Sequence, residues 1–100
     1  MVSLTMKELA ILAALETDRL YGLEIVREVN QHNFVSIQLG RLYSILSGME
    51  KKGVLKSEEG SSTSKRGGNK RRYYSITGAG QDCLDQYRSG LAGTLGFQLV

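Results

Sequence analysis

One hundred residues, 41% hydrophobic and 23% charged, are enough for one globular domain with a modest core and too few for two. No apolar run reaches bilayer length and the N-terminus lacks a signal peptide's basic-then-apolar layout, so a cytoplasmic protein without membrane contact is expected. The single cysteine, Cys83, excludes an internal disulfide, and with His32 as the only histidine there is no set of metal ligands. The charge is unevenly placed. Lys65-Arg66-Gly67-Gly68-Asn69-Lys70-Arg71-Arg72 holds five cations and no acid, so setting it aside turns the net charge of +3 into −2. Positive potential gathered in one stretch attracts a polyanion. The alternative is a solvated loop that is basic by accident.

Thr5-Met6-Lys7-Glu8 fits a capping box and opens a first helix over about residues 5–16. Its segment from Leu9 to Leu15 is apolar all round, so it needs cover on two sides. One cover is the domain core; the other is expected to be a second copy of the chain in a two-fold homodimer. The competing reading makes it simply the central helix of the monomer. After a short Thr17-Asp18-Arg19 connection, a second amphipathic helix spans about 21–31, with Tyr21, Ile25 and Val29 on one face. Gly22 belongs in its first turn, where helix 1 or a DNA backbone comes close. His32 reads as a surface residue at a helix end. Phe34, Val35 and Ile37 suggest one short strand or an extended link.

A third helix, about 38–52, places Leu39, Leu42, Leu46 and Met49 on a stripe that must be buried. Arg41, Ser44, Ile45, Gly48 and Lys52 form a slim, mostly polar ridge opposite, of a size that a DNA major groove admits. Glu50-Lys51-Lys52-Gly53 ends it, with cations in the last turn and glycine just beyond. A hairpin over about 54–76 follows. Its outgoing strand is Val54–Glu59, its loop is rich in Ser and Gly, and its returning strand alternates Arg72, Tyr74 and Ile76 against Arg71, Tyr73 and Ser75. One tyrosine should pack on the core while its neighbour faces out. The last helix, about 79–95, carries the stripe Leu84, Tyr87, Leu91 and Leu95.

Helix, helix, helix, strand, basic loop, strand, helix is the order of a winged helix-turn-helix: mainly α with a small β-hairpin and a C-terminal dimerisation helix. Leu20-Tyr21-Gly22-Leu23-Glu24-Ile25, the pair Gly40-Arg41-Leu42-Tyr43-Ser44-Ile45-Leu46 and Met49-Glu50-Lys51-Lys52-Gly53-Val54-Leu55, and Arg71-Arg72-Tyr73-Tyr74-Ser75-Ile76-Thr77-Gly78-Ala79-Gly80 together resemble PadR-like transcriptional regulators, from about Leu4 to Leu91. The resemblance implies a dimeric repressor or activator on a near-palindromic operator, joined through helix 1 and the C-terminal helix. This places Leu9, Leu12, Leu84, Tyr87, Leu91 and Leu95 at the dimer interface. The chain departs from the family's usual Thr at Arg41 and Pro at Ser44, so base preference does not transfer. With room for one C-terminal helix, it looks like the short subtype. Cyanobacterial clock-associated regulators of the period-extender type are such short members, though no residue decides that kinship.

The side chains expected at double-stranded DNA follow. Arg41 reads guanine O6 and N7, or else holds a phosphate or simply faces solvent. Gln38 reads adenine or caps the helix, and Ser44 and Gly48 allow close approach. Tyr43 packs at the ridge's edge with its hydroxyl toward a phosphate, and Lys52 is a backbone contact. Lys65, Arg66, Asn69, Lys70 and Arg71 carry the wing, while Arg72 points back toward Glu58 or Glu59. No small-molecule effector is indicated. An enzyme is not expected: Cys83 and His32 lie in unrelated helices with no third group, and the glycine pair lacks P-loop spacing. The other alternative is a winged helix used only for protein contacts, against which the five wing cations argue.

Overall fold

A computed structural model describes residues 3–31, 35–60 and 71–95, the last five by backbone alone. The elements are α1 (Met6–Leu15), β1 (Leu20–Tyr21), α2 (Gly22–Gln31), α3 (Leu39–Lys51), β2 (Leu55–Glu59), β3 (Arg72–Ile76) and α4 (Gly78–Leu95). The strands form an antiparallel sheet in the order β1-β3-β2, with Leu20 opposite Tyr74 and Leu55 opposite Ile76. Helices α1, α2 and α3 pack in sequence, and α4 returns across α1 and β3. This is the winged helix-turn-helix, an α+β fold.

The capping box is complete. Glu8 N–H donates to Thr5 Oγ1 at 3.2 Å, and Thr5 N–H donates to Glu8 Oε1 at 2.8 Å. The core joins Leu9, Ile11, Leu12 and Leu15 of α1 to Ile25 and Val29 of α2 and to Leu42, Leu46 and Met49 of α3. Leu39 does not join that stripe. It is the first residue of α3, ahead of the turn that faces the core, and it stays 40% exposed.

Val35 and Ile37 belong to the link into α3, the second of the two readings their sequence allowed, and the partner of β3 on its open side is instead Leu20–Tyr21. Helix 2 accordingly starts one residue later than expected, at Gly22. Tyr21 N–H donates to Glu24 Oε1 at 3.1 Å, a carboxylate reaching back over the start of the helix. Gly22 does sit in the first turn, and the close neighbour within the chain is Tyr43 rather than helix 1. A Cβ there would lie 2.9 Å from Tyr43 Cζ and closer still to its hydroxyl.

The turn between α2 and α3 is closed by one side chain. Asn30 Nδ2 donates to the Ile37 carbonyl at 3.1 Å, and Ile37 N–H donates to Asn30 Oδ1 at 2.9 Å. The amide thus satisfies both backbone groups of Ile37 as a neighbouring strand would, and anchors the chain just before α3 begins.

Helix α3 ends as its sequence announces. Gly53 has φ +78°, Gly53 N–H donates to the Glu50 carbonyl at 3.0 Å, and Val54 N–H donates to the Met49 carbonyl at 3.2 Å. These are the two bonds of a Schellman motif, and they turn the chain directly into β2. At the far end of the hairpin, Gly60 N–H donates to the Arg71 carbonyl at 2.6 Å. On β3, Tyr74 is buried and its neighbour Tyr73 half-buried on the other face, as the alternation requires.

Candidate nucleic-acid interface

Residues 40, 44, 47 and 51 recur at i, i+4, i+7 and i+11 on α3, opposite Leu42, Leu46 and Met49, and all four are exposed. The outward crest is therefore Gly40, Ser44, Ser47 and Lys51, turned somewhat from the ridge read in the sequence. Ser47 and Lys51 were missed there, although the same 3.6-residue period contains them. Ile45 and Gly48 are half-buried on the flank toward α1.

Lys52 lies on that flank as well, and its charge is already engaged. Its Nζ donates to Glu8 Oε1 and Oε2 at 3.0 and 2.9 Å and to the Ser3 carbonyl at 3.1 Å. Lys52, expected as a DNA backbone contact, thus also ties the start of α1 to the end of α3. Burial of the Glu8 carboxyl raises its pKa, but the Thr5 amide and Lys52 outweigh this and hold it below the ordinary value. A carboxyl depressed in the fold stabilises it above the unfolded pKa and loses that contribution as pH falls through the folded value. Thermal stability should therefore drop as pH descends from about 4.3. Lys52→Ala should cost about 1–2 kcal/mol at neutral pH, since a third of the lysine is in water, and should move the acid-sensitive range upward. Melting curves between neutral pH and pH 3 check both, and identical pH profiles in the two proteins would contradict this coupling.

On the opposite flank, Tyr43 is 49% exposed and its ring lies against Gly22, beside β1. From there an alternating stack leads to the root of the wing. The Arg71 guanidinium sits 4.5 Å over the Tyr21 ring, Tyr21 meets Tyr73 edge-on at 5.8 Å, and Arg19 caps Tyr73 at 4.6 Å. Arg19 also pairs with Glu58 at 3.0 Å. Such stacking fixes the direction of an arginine without neutralising it. Arg72 points back as expected, donating to Ser57 Oγ at 3.1 Å with Glu59 at 4.0 Å. Lys65, Arg66, Asn69 and Lys70 lie outside the described residues. Gln38 is exposed at the N-cap of α3 and makes no side-chain capping bond.

Lys7, which sequence reasoning passed over as part of a capping box, is also at this surface. It lines a cleft with Ser36, Gln38 and Arg41, and a second one with Ser44 and Gly48. The first turn of α1 thus faces α3 across these clefts, an approach that no local pattern reveals.

The expected dimer surface is redrawn. Leu12 is fully buried in the chain's own core and cannot touch a partner, while Leu9 and Leu84 form the floor of an open apolar groove of about 270 Å³. The groove walls are Met6, Ala10, Ala13, Val35 and Tyr87, with Met6 53% and Tyr87 39% exposed. Beside it Arg88 donates to Glu16 Oε2 at 2.8 Å, an ion pair that lowers the pKa of Glu16. Leu91 and Leu95 fall in the part of α4 whose side chains lie outside the description.

Three comparisons bear on this geometry. No protein among curated sequences matches significantly. A PadR family transcription regulator from hypervirulent Clostridium difficile R20291 superposes with a TM-score of 0.77 at 25% identity, covering 96% of this chain and 100% of that one. A PadR-like regulator of Bacillus cereus gives 0.73 at 27% identity over 92% and 85% of the two chains. Bacillus subtilis PadR, solved with operator DNA, shares the fold at 20% identity and a TM-score of 0.71, over 83% of this chain and 46% of that one. The sequence profile of the PadR-like transcriptional regulators matches residues 11–86, so the chain belongs to the PadR-like family of transcriptional regulators.

Proposed function

We propose that this protein binds double-stranded DNA sequence-specifically and represses transcription as a cytoplasmic homodimer on a near-palindromic operator. The observation that carries the reading is the exposed polar crest of α3, bounded on one side by the wing root and on the other by Lys7 and Arg41. A crest one helix wide between two positive flanks suits a major groove bordered by phosphate backbones. The operator complex of Bacillus subtilis PadR supports the reading by likeness of fold. Dimerisation is assigned to the groove between α1 and α4, because Met6 and Tyr87 leave apolar surface there that a two-fold partner would cover. No helix among the described residues is long and apolar enough to cross a membrane.

Selection of duplexes from a random pool, followed by footprinting, tests the proposal. The expected product is a consensus of two inverted half-sites about one helical turn apart, bound with affinity that falls steeply as salt rises. A pool that returns no consensus, with binding indifferent to salt, would leave a protein-contact module as the better reading.

A further inference from the structure

The position of Arg41 separates anchoring from reading. Successive α-helical residues turn by roughly 100°, so Arg41 and Tyr43 fall on opposite flanks of the crest that runs through Gly40, Ser44, Ser47 and Lys51. Arg41 turns toward α1. There it borders a polar cleft of about 240 Å³ whose other walls are Lys7, Ser36, Ile37, Gln38 and Ile45. The cleft contains two cations and no carboxylate, and neither cation is paired with an acid among the described residues. The nearby Lys52 charge is taken up by Glu8, which leaves the positive potential of this flank with Lys7 and Arg41. Ser36 and Gln38 add polar side chains on the same wall. Two unneutralised cations in a polar recess suit a small oxyanion, and in a protein whose crest enters a groove the anion on that flank is a backbone phosphate.

We infer that the α1–α3 cleft is a phosphate clamp for the DNA backbone, in which Lys7 and Arg41 grip one strand and leave base readout to Ser44, Ser47 and Lys51 on the crest. The inference rests on the DNA-binding reading above and assigns its residues. It assigns Arg41 to the backbone, one of the roles its sequence position left open, and brings in Lys7 from a helix outside the helix-turn-helix pair.

The test compares two probes, a duplex selected by the wild-type protein from a random pool and a mixed-sequence duplex, each titrated at several salt concentrations. Lys7→Ala and Arg41→Ala should weaken binding to both probes by the same factor and leave the selected consensus unchanged. Each should lower the salt slope by about 0.9 per subunit engaged, roughly 1.8 for the dimer, so that between 50 and 200 mM salt each variant loses roughly twelvefold less affinity than the wild type. Arg41→Lys should keep nearly full affinity, because a point charge serves a phosphate whereas a guanine edge needs the planar fork. Lys51→Ala and Ser47→Ala should instead alter the consensus. The inference is overturned if Arg41→Ala relaxes one base position per half-site while sparing the mixed duplex, or if Lys7→Ala leaves the slope untouched. A wild-type protein that binds the mixed duplex but selects no consensus refutes sequence-specific regulation alone, and the clamp is then decided by its slopes. Binding to neither duplex refutes both.

Discussion

Gly80→Ala is expected to lower the melting temperature by roughly 10–20 °C, a net loss of about 2–3 kcal/mol in a domain of this size. In an exposed helix the same change would stabilise by about 1 kcal/mol through propensity, so packing must reverse the sign. Gly80 is buried in the first turn of α4, against the backbone of Val54. A Cβ at this position would overlap the Val54 carbonyl oxygen and lie 3.0 Å from its carbon and 2.9 Å from Ile76 Cγ1. A flexible side chain could swing aside, but a carbonyl that already accepts Thr77 N–H at 3.2 Å cannot. Thr77 fastens the joint further, donating to the Gly53 carbonyl at 2.7 Å while accepting Gly80 N–H at 3.0 Å. The added methyl therefore has to lift the start of α4 away from the sheet. Gly78→Ala is the control: nothing lies within 4 Å of its Cβ position, so it should melt at or above the wild-type temperature. Equal melting of Gly80→Ala and wild type would show that α4 does not seat on Val54 this closely.

That joint shows how far the sequence could be read. Motifs that close on themselves within a few residues were legible: the Thr5–Glu8 box, the glycine end of α3 at Gly53, and the Tyr73/Tyr74 alternation each state their own geometry. Features made by chain crossings were not. β1 is two residues long, too short to show a period of its own, and exists because Leu20 and Tyr21 find β3. The apolar pattern of α2 runs through Tyr21 and concealed the break. Lys52 and Glu8 are 44 residues apart, so no window contains both the cation and the carboxylate that occupies it. Lys7 comes beside Arg41 only because the first turn of α1 faces α3 across a cleft. Leu12 shows the opposite error, since an all-apolar helix cannot say which of its sides the monomer itself covers. The outline of the reading head was available from local pattern, and its charge assignments required tertiary structure.

The wing should contribute the largest part of DNA affinity, because the sequence gathers five cations and no acid in residues 65–72. Lys65, Arg66 and Lys70 flank two glycines in the ten-residue connection after Gly60, and Arg71 follows at the start of the returning chain. If each cation neutralises one phosphate, converting all four to alanine should lower the salt slope by roughly 3.6 for each wing engaged. Between 50 and 200 mM salt such a slope corresponds to a factor of roughly 150, so the gap between titrations at the two concentrations should narrow by that factor per wing, leaving the slope that Lys7 and Arg41 supply. A mixed-sequence duplex should lose as much affinity as a selected one, since phosphate contacts carry no base information. Arg72→Ala is the internal comparison. It removes the same charge from the same strand, but Arg72 is tied to Ser57 and Glu59 across the hairpin and should change binding little. Arg71 differs in being held over Tyr21 with no acid paired to it among the described residues, so Arg71→Ala alone should recover a measurable share of the fourfold effect. If Arg72→Ala weakened binding as much as Arg71→Ala, net charge rather than placement would govern the wing. If the four-cation variant kept the wild-type salt slope, the basic stretch would not be a DNA contact at all.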